Sequence, residues 1–310
     1  METTVTKLLT LPSAMPTALR TIKSLALLLA VIAATALGAP TAHATTYLQT
    51  FVSNIGSSNS QCSVTSPCQT FAQALAVTSS GGEINCLNPG NFGAVTISIS
   101  VTINCEGVSN GGIQVGSGGV AIDVIETGIV VNLFGLDIDG ENADGGTGVN
   151  IPAAATVNIR KCKIYGFAQT GNGILLQSST SGGILVVDSV FIVNNATGID
   201  LTSTTGVSNM TVRNSSINNN ENNGIYVAMN GGTHAGVTIE QTTLAFNTAY
   251  GLAVYGAGAV AVIGGSAVVN NATGVHTLNG GIVYSFKNNQ IGGNNHDGTP
   301  LTAYPGGPLN

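Results

Sequence analysis

Short apolar-polar alternations recur along the chain in a fixed order. Leu185-Val186-Val187-Asp188 leads to Asn194-Asn195-Ala196-Thr197-Gly198-Ile199, and Met210-Thr211-Val212-Arg213 leads to Asn220 and Gly224-Ile225. Val237-Thr238-Ile239-Glu240 leads to Asn247 and Gly251-Leu252, and Val260-Ala261-Val262 leads to Asn270-Asn271-Ala272-Thr273-Gly274-Val275. A period of two marks strands with one face buried. The Gly before an aliphatic residue recurs at 148, 173, 198, 224, 251 and 274, at intervals of 25, 25, 26, 27 and 23 residues. A period of that length marks a repeat architecture. No unit holds ten residues of helical period, which excludes helix-containing repeats. The pattern predicts a single-stranded right-handed parallel β-helix, all-β, with about 25 residues per coil and successive coils ~4.8 Å apart.

Stacked coils bring equivalent residues into columns. Asn194, Asn220, Asn247, Asn270 and Asn294 lie four residues before Gly198, Gly224, Gly251, Gly274 and Gly298. Their amides are expected to bond in a ladder, which outweighs sugar contact as their role. A second column, Phe134, Arg160, Asp188, Arg213, Glu240 and Ile263, alternates in sign through its middle four members and reads as register control on an outer face. A third, the outward residue two after each Gly, holds Asn150, Leu175, Asp200, Tyr226, Ala253 and His276. β-Helix proteins place binding grooves on such faces, so Asp200, Tyr226 and His276 are the candidate glycan-binding residues. Asp200 and His276 stand three coils apart, roughly 14 Å at the strand spacing, too far for one acid-base pair.

The ends differ from the repeat. Residues 1–44 read as a secretory signal: Lys7, Arg20 and Lys23 precede an apolar run from Leu25 to Leu37 and the Ala42-His43-Ala44 cleavage site. No later run is long enough to span a membrane. Residues 45–80 read as an N-terminal cap, with a strand at 47–52 and a helix at 70–77 presenting Phe71, Ala74 and Leu75 on one face. The β-helix then runs over 81–310, ending in a C-terminal cap.

The helix Thr70-Phe71-Ala72-Gln73-Ala74-Leu75, then Gly82-Glu83-Ile84 and Leu87-Asn88-Pro89-Gly90-Asn91-Phe92, resembles the opening of pectate-lyase-like right-handed β-helix proteins. Gly135-Leu136-Asp137-Ile138-Asp139-Gly140 and Cys162-Lys163-Ile164-Tyr165-Gly166-Phe167 resemble a bacterial exported group of β-helix repeat proteins. The resemblance implies the fold; the superfamily holds lyases, hydrolases, esterases, epimerases and adhesins, so it implies no one activity. Its hydrolase motifs Gly-His-Gly and Arg-x-Lys are absent, and Asp-x-Asp occurs only at Asp137 and Asp139.

Export makes disulfides the expected state of cysteine. Cys62 and Cys68 bracket a small loop. Ile84-Asn85-Cys86 and Ile103-Asn104-Cys105 are 19 residues apart, which pairs Cys86 with Cys105 if those strands stack. Cys162 is left over, in a column otherwise holding Val190, Ser215 and Thr242, and reads as a small buried thiol.

The whole chain carries a net charge of −6. Without residues 1–44, five basic side chains face thirteen acidic ones, a net −8. That disfavours nucleic acid and anionic polymers, which need clustered Lys and Arg. The densest acidic cluster, Asp137, Asp139, Glu141 and Asp144, is a candidate Ca2+ site, although its spacing departs from the EF-hand pattern. No other cofactor is expected. The leading expectation is an exported monomer, extracellular or periplasmic, with a non-catalytic structural or glycan-binding role. A polysaccharide lyase or glycoside hydrolase with a divergent site is the alternative, and a subunit that stacks end to end a third.

Overall fold

In the computed structural model, the described residues form 29 strands and one short helix that wind into a parallel solenoid. The described residues are 46–305, apart from 60, 179, 204–205 and 230–232. The expected signal segment lies outside them. Every ladder between coils is parallel, in three sheets of 11, 9 and 9 strands, called here the first, second and third in the order the chain visits them. Coil follows coil in right-handed sense, as parallel crossovers do.

Residues one coil apart pair in register, so each sheet buries a column. In the third sheet the column is Val149, Ile174, Ile199, Ile225, Leu252 and Val275, all fully buried. Ile138, Ile164, Ile192, Ile217, Leu244 and Val268 form its counterpart in the second. Burying each such side chain contributes about 1.5–3 kcal/mol.

The Gly column is set by space. Gly198 has no left-handed backbone angle, but a Cβ there would lie 2.6 Å from the Gly224 carbonyl oxygen and 2.5 Å from Ile217 Cγ2. The coil's corners, by contrast, do need left-handed backbone. Between the first and second sheets it falls at Gly135, Lys161, Ser189, Asn214, Gln241 and Gly265. Between the second and third it falls at Asn142, Gly166, Asn194, Asn219, Phe246, Asn270 and Gly293.

This second corner corrects the expected Asn ladder. Asn194 and Asn270 are the corner residues, and the ladder runs one residue later in those coils, through Asn195, Asn220, Asn247, Asn271 and Asn294. Each carboxamide donates to the Oδ1 of the next at 2.9–3.2 Å. Each Oδ1 also accepts the preceding ladder residue's backbone N–H. A constant offset of four fails because the coils reaching Gly224 and Gly251 hold one more residue between ladder and Gly. At the far end Asp297, not Gly298, lies under Gly274, and Gly298 pairs with Val275.

The charged column is in register from Phe134 to Glu240, but its next member is Gly264, because Ile263 continues the buried row Val212-Ile239. Arg213 pairs with Asp188 at 3.0 Å. Arg160 reaches back instead to Glu106, also bonded by Lys161, and lies over the Phe134 ring. These exposed pairs are screened by solvent and add little to stability.

At the N-terminal end, strand β1 (Tyr47–Val52) joins the first sheet beside β2 (Thr78–Cys86). Helix α1 (Phe71–Ala76) is capped by the Thr70 hydroxyl and packs Phe71 on Phe92. Disulfides join Cys62 to Cys68 and Cys86 to Cys105.

Cys162 is free and buried, and burial pushes its thiol up to about 12. Its Sγ takes the Leu136 N–H as the Ser215, Thr242 and Ser266 hydroxyls take the N–H of the preceding coil. Those hydroxyls also donate to the carbonyl two residues back. A Ser fits the same column, so Cys162→Ser should change stability by less than about 1 kcal/mol in a urea titration, whereas a nucleophilic role would show as lost function.

Candidate functional site

The outward face of the third sheet gathers the sequence candidates on one line. Asp123, Asn150, Leu175, Asp200, Tyr226, Ala253 and His276 stack in register. Two further aromatic residues, outside that column, join them from strand β22 (Tyr250–Tyr255). Tyr255 lies on the same face as Ala253, two residues on, and its ring centroid is 5.3 Å from that of Tyr226 and 5.6 Å from that of His276. Tyr250 stacks flat on His276, at 4.6 Å and 7° between planes. Four rings from three coils thus form one cluster, and Ala253, in the same outward column, is fully buried. The rings themselves are half-buried.

Asp200 closes one end of this platform. Its Oδ1 accepts the Thr202 hydroxyl at 2.5 Å. Burial holds its carboxyl above the ordinary carboxylate range, against the lowering effect of that bond. Burial, and then the Asp200 charge, raise the Tyr226 phenol. Burial pushes Tyr255 up to about 12. The phenols therefore stay protonated and able to donate at neutral pH.

A carboxyl raised on folding opposes folding when ionised. That penalty is absent below the unfolded value and grows as pH rises through the folded one. Asp200→Asn should accordingly melt higher than the unaltered protein at pH 7, the difference vanishing near about pH 3, where an unfolded Asp is itself protonated. Paired melting curves at the two pH values check this.

The acidic cluster, the candidate cation site, lies on the second sheet and the turn that follows it. Asp137 and Asp139 point outward from strand β9 (Asp137–Asp144), beside Lys163 and Tyr165 of the next coil. Left-handed backbone at Glu141 and Asn142 then turns the chain. Glu141 and Asp144 do not join the cavity of about 440 Å3 lined by Asn91, Gln114, Asp137, Asp139 and Tyr165. Burial and hydrogen bonds to the two aspartates raise the Tyr165 phenol, and Lys163 sits over its ring. Among the described residues, no three His, Cys, Asp or Glu side chains gather as a metal site would require.

No helix among the described residues is long and apolar enough to cross a membrane. The family model described as periplasmic copper-binding protein (NosD) matches residues 106–300. A solved structure, the crystal structure of pectate lyase Pel9A, is similar at 15% sequence identity with a TM-score of 0.51, over 82% of this chain and 74% of that one. At that identity the likeness concerns the fold. No curated protein sequence matches the chain significantly.

Proposed function

The chain belongs to the NosD family, a family of periplasmic β-helix proteins, and from that premise we propose that it is an exported, non-catalytic protein that binds an uncharged glycan on the outward face of its third sheet. The observation that carries this is the platform of Tyr226, Tyr250, Tyr255 and His276. Flat rings offer apolar contact to the C–H face of a pyranose while phenol, imidazole and the Asp200 carboxyl bond its hydroxyls. The charge distribution supports an uncharged ligand. Arg160, Lys161 and Arg213 are in ion pairs on other faces, Lys163 covers Tyr165, and Lys287 sits at the corner between the first and second sheets. That leaves the platform with a carboxylate and no cation to meet an anionic sugar. Two disulfides fit the oxidising periplasm that the family's description names.

The copper of the family's description does not fit the donors at hand. Copper sites are built from imidazole, thiolate or thioether. Cys162, Met210 and Met229 are buried within the coil, His276 is held between two tyrosines, and the exposed His234 and His296 belong to no cluster of three His, Cys, Asp or Glu among the described residues. Migration of the protein through native gels cast with xylan, glucomannan or pectate tests the proposal. Retardation by an uncharged polymer and free passage through pectate is the expected result; free passage through all three would sink it.

A further inference from the structure

We propose that the corner between the second and third sheets carries a second carbohydrate subsite, headed by Phe246. The corner row runs Asn142, Gly166, Asn194, Asn219, Phe246, Asn270 and Gly293, every member in left-handed backbone. Asn and Gly adopt that conformation readily; a bulky aromatic residue does not. Phe246 holds it at φ 57° with its side chain turned to solvent and 60% of the residue exposed. It therefore accepts backbone strain and an exposed apolar ring together, and gains little packing in return. Strain retained without a structural gain points to a surface contact.

The neighbouring surface says what the contact is. A groove of about 470 Å3 takes in Asn142, Asn194 and Asn219 of this row, with Ala168, Gln169, Glu221 and Thr248 beside them, and Phe246 is the next row member after Asn219. Thr248 is two residues past Phe246. Its size suits a small ligand. Carboxamides both donate and accept, which matches sugar hydroxyls, and the ring supplies a stacking surface beside them. Glu221 is the one charged group among the lining residues, and it already accepts the Gln169 N–H across two coils at 2.7 Å. A groove of amides with one carboxylate favours an uncharged saccharide over an acidic one. The corner shares no residue with the aromatic platform, and it rests on the glycan-binding reading only for the class of ligand.

The test is calorimetric titration of the exported protein, its F246N variant and its Y226L variant with cellohexaose, xylohexaose and hexa-N-acetylchitohexaose. Asn is what the row carries elsewhere, so F246N should relieve the strain and raise Tm by about 2–4 °C. The same variant should lose one of two binding events, or about tenfold in affinity, for the sugar that the unaltered protein binds. Unchanged binding by F246N overturns the proposal, as does a fall in its Tm, which would make the ring part of the packing. Binding lost in F246N but intact in Y226L would retain the corner and reject the platform. The reverse result would retain the platform and reject the corner. Failure of all three sugars to bind the unaltered protein overturns both.

Discussion

Asn220→Ala is expected to melt on the order of 10 °C below the unaltered protein. Asn220 stands in the middle of the buried amide ladder, 1% exposed. Its Oδ1 accepts both the backbone N–H and the carboxamide of Asn195, at 3.1 and 3.2 Å, and its own carboxamide donates to Asn247 at 2.9 Å. Truncation strands two buried donors of Asn195. Each costs about 1–3 kcal/mol when left unsatisfied, so the loss is about 3–5 kcal/mol. For a domain of this size about 2–4 °C accompany each kcal/mol. Asn194→Ala is the matched comparison. Asn194 sits on the exposed corner and gives up mainly its tolerance of left-handed backbone, worth ~1–2 kcal/mol. Thermal melts of the two variants side by side separate ladder from corner. Equal shifts would mean that the ladder contributes nothing beyond the turn.

Changing Tyr226 and Tyr255 together to Leu should cost at least about 30-fold in glycan affinity while moving Tm by only a few degrees. Central aromatic residues of binding surfaces are commonly worth 2 kcal/mol or more each, and that amount is about 30-fold. Leucine keeps an apolar cover over Ala253 but offers no flat ring and no phenol. The two rings meet at 5.3 Å, so their effects should be non-additive, and both single variants belong in the same titration series. Full affinity in the double variant would remove the platform from the account.

Much of the fold was legible in the sequence because a strand ladder tolerates no slip. The outward line Asn150-Leu175-Asp200-Tyr226-Ala253-His276 follows from counting two residues past each Gly, within a strand that holds register over six coils. The pairing of Cys86 with Cys105 follows from the stacking of Ile84 on Ile103. What failed lay in the corners. The ladder was displaced to Asn194 and Asn270 because corner length varies by one residue, and adjacent asparagines hide the shift. The charged column was carried one step too far, to the buried Ile263. The turn at Glu141 and Asn142, inside the acidic cluster, is likewise not legible in the spacing of its carboxylates. Of the platform, Tyr226 and His276 share one countable column, while Tyr250 and Tyr255 lie in others. The period-two rule does place Tyr255 beside Ala253 on the outer face. Tyr250's stacking on His276 lies outside any single-column count.

The most direct test of the central claim places the protein in one cuvette with pectate and in another with an uncharged glycan that retards it in gels, following melting temperature and ultraviolet absorbance together. The account predicts a raised melting temperature with the uncharged glycan and flat absorbance in both. Absorbance that climbs steadily with pectate, as unsaturated product accumulates, would contradict it and make the chain a lyase.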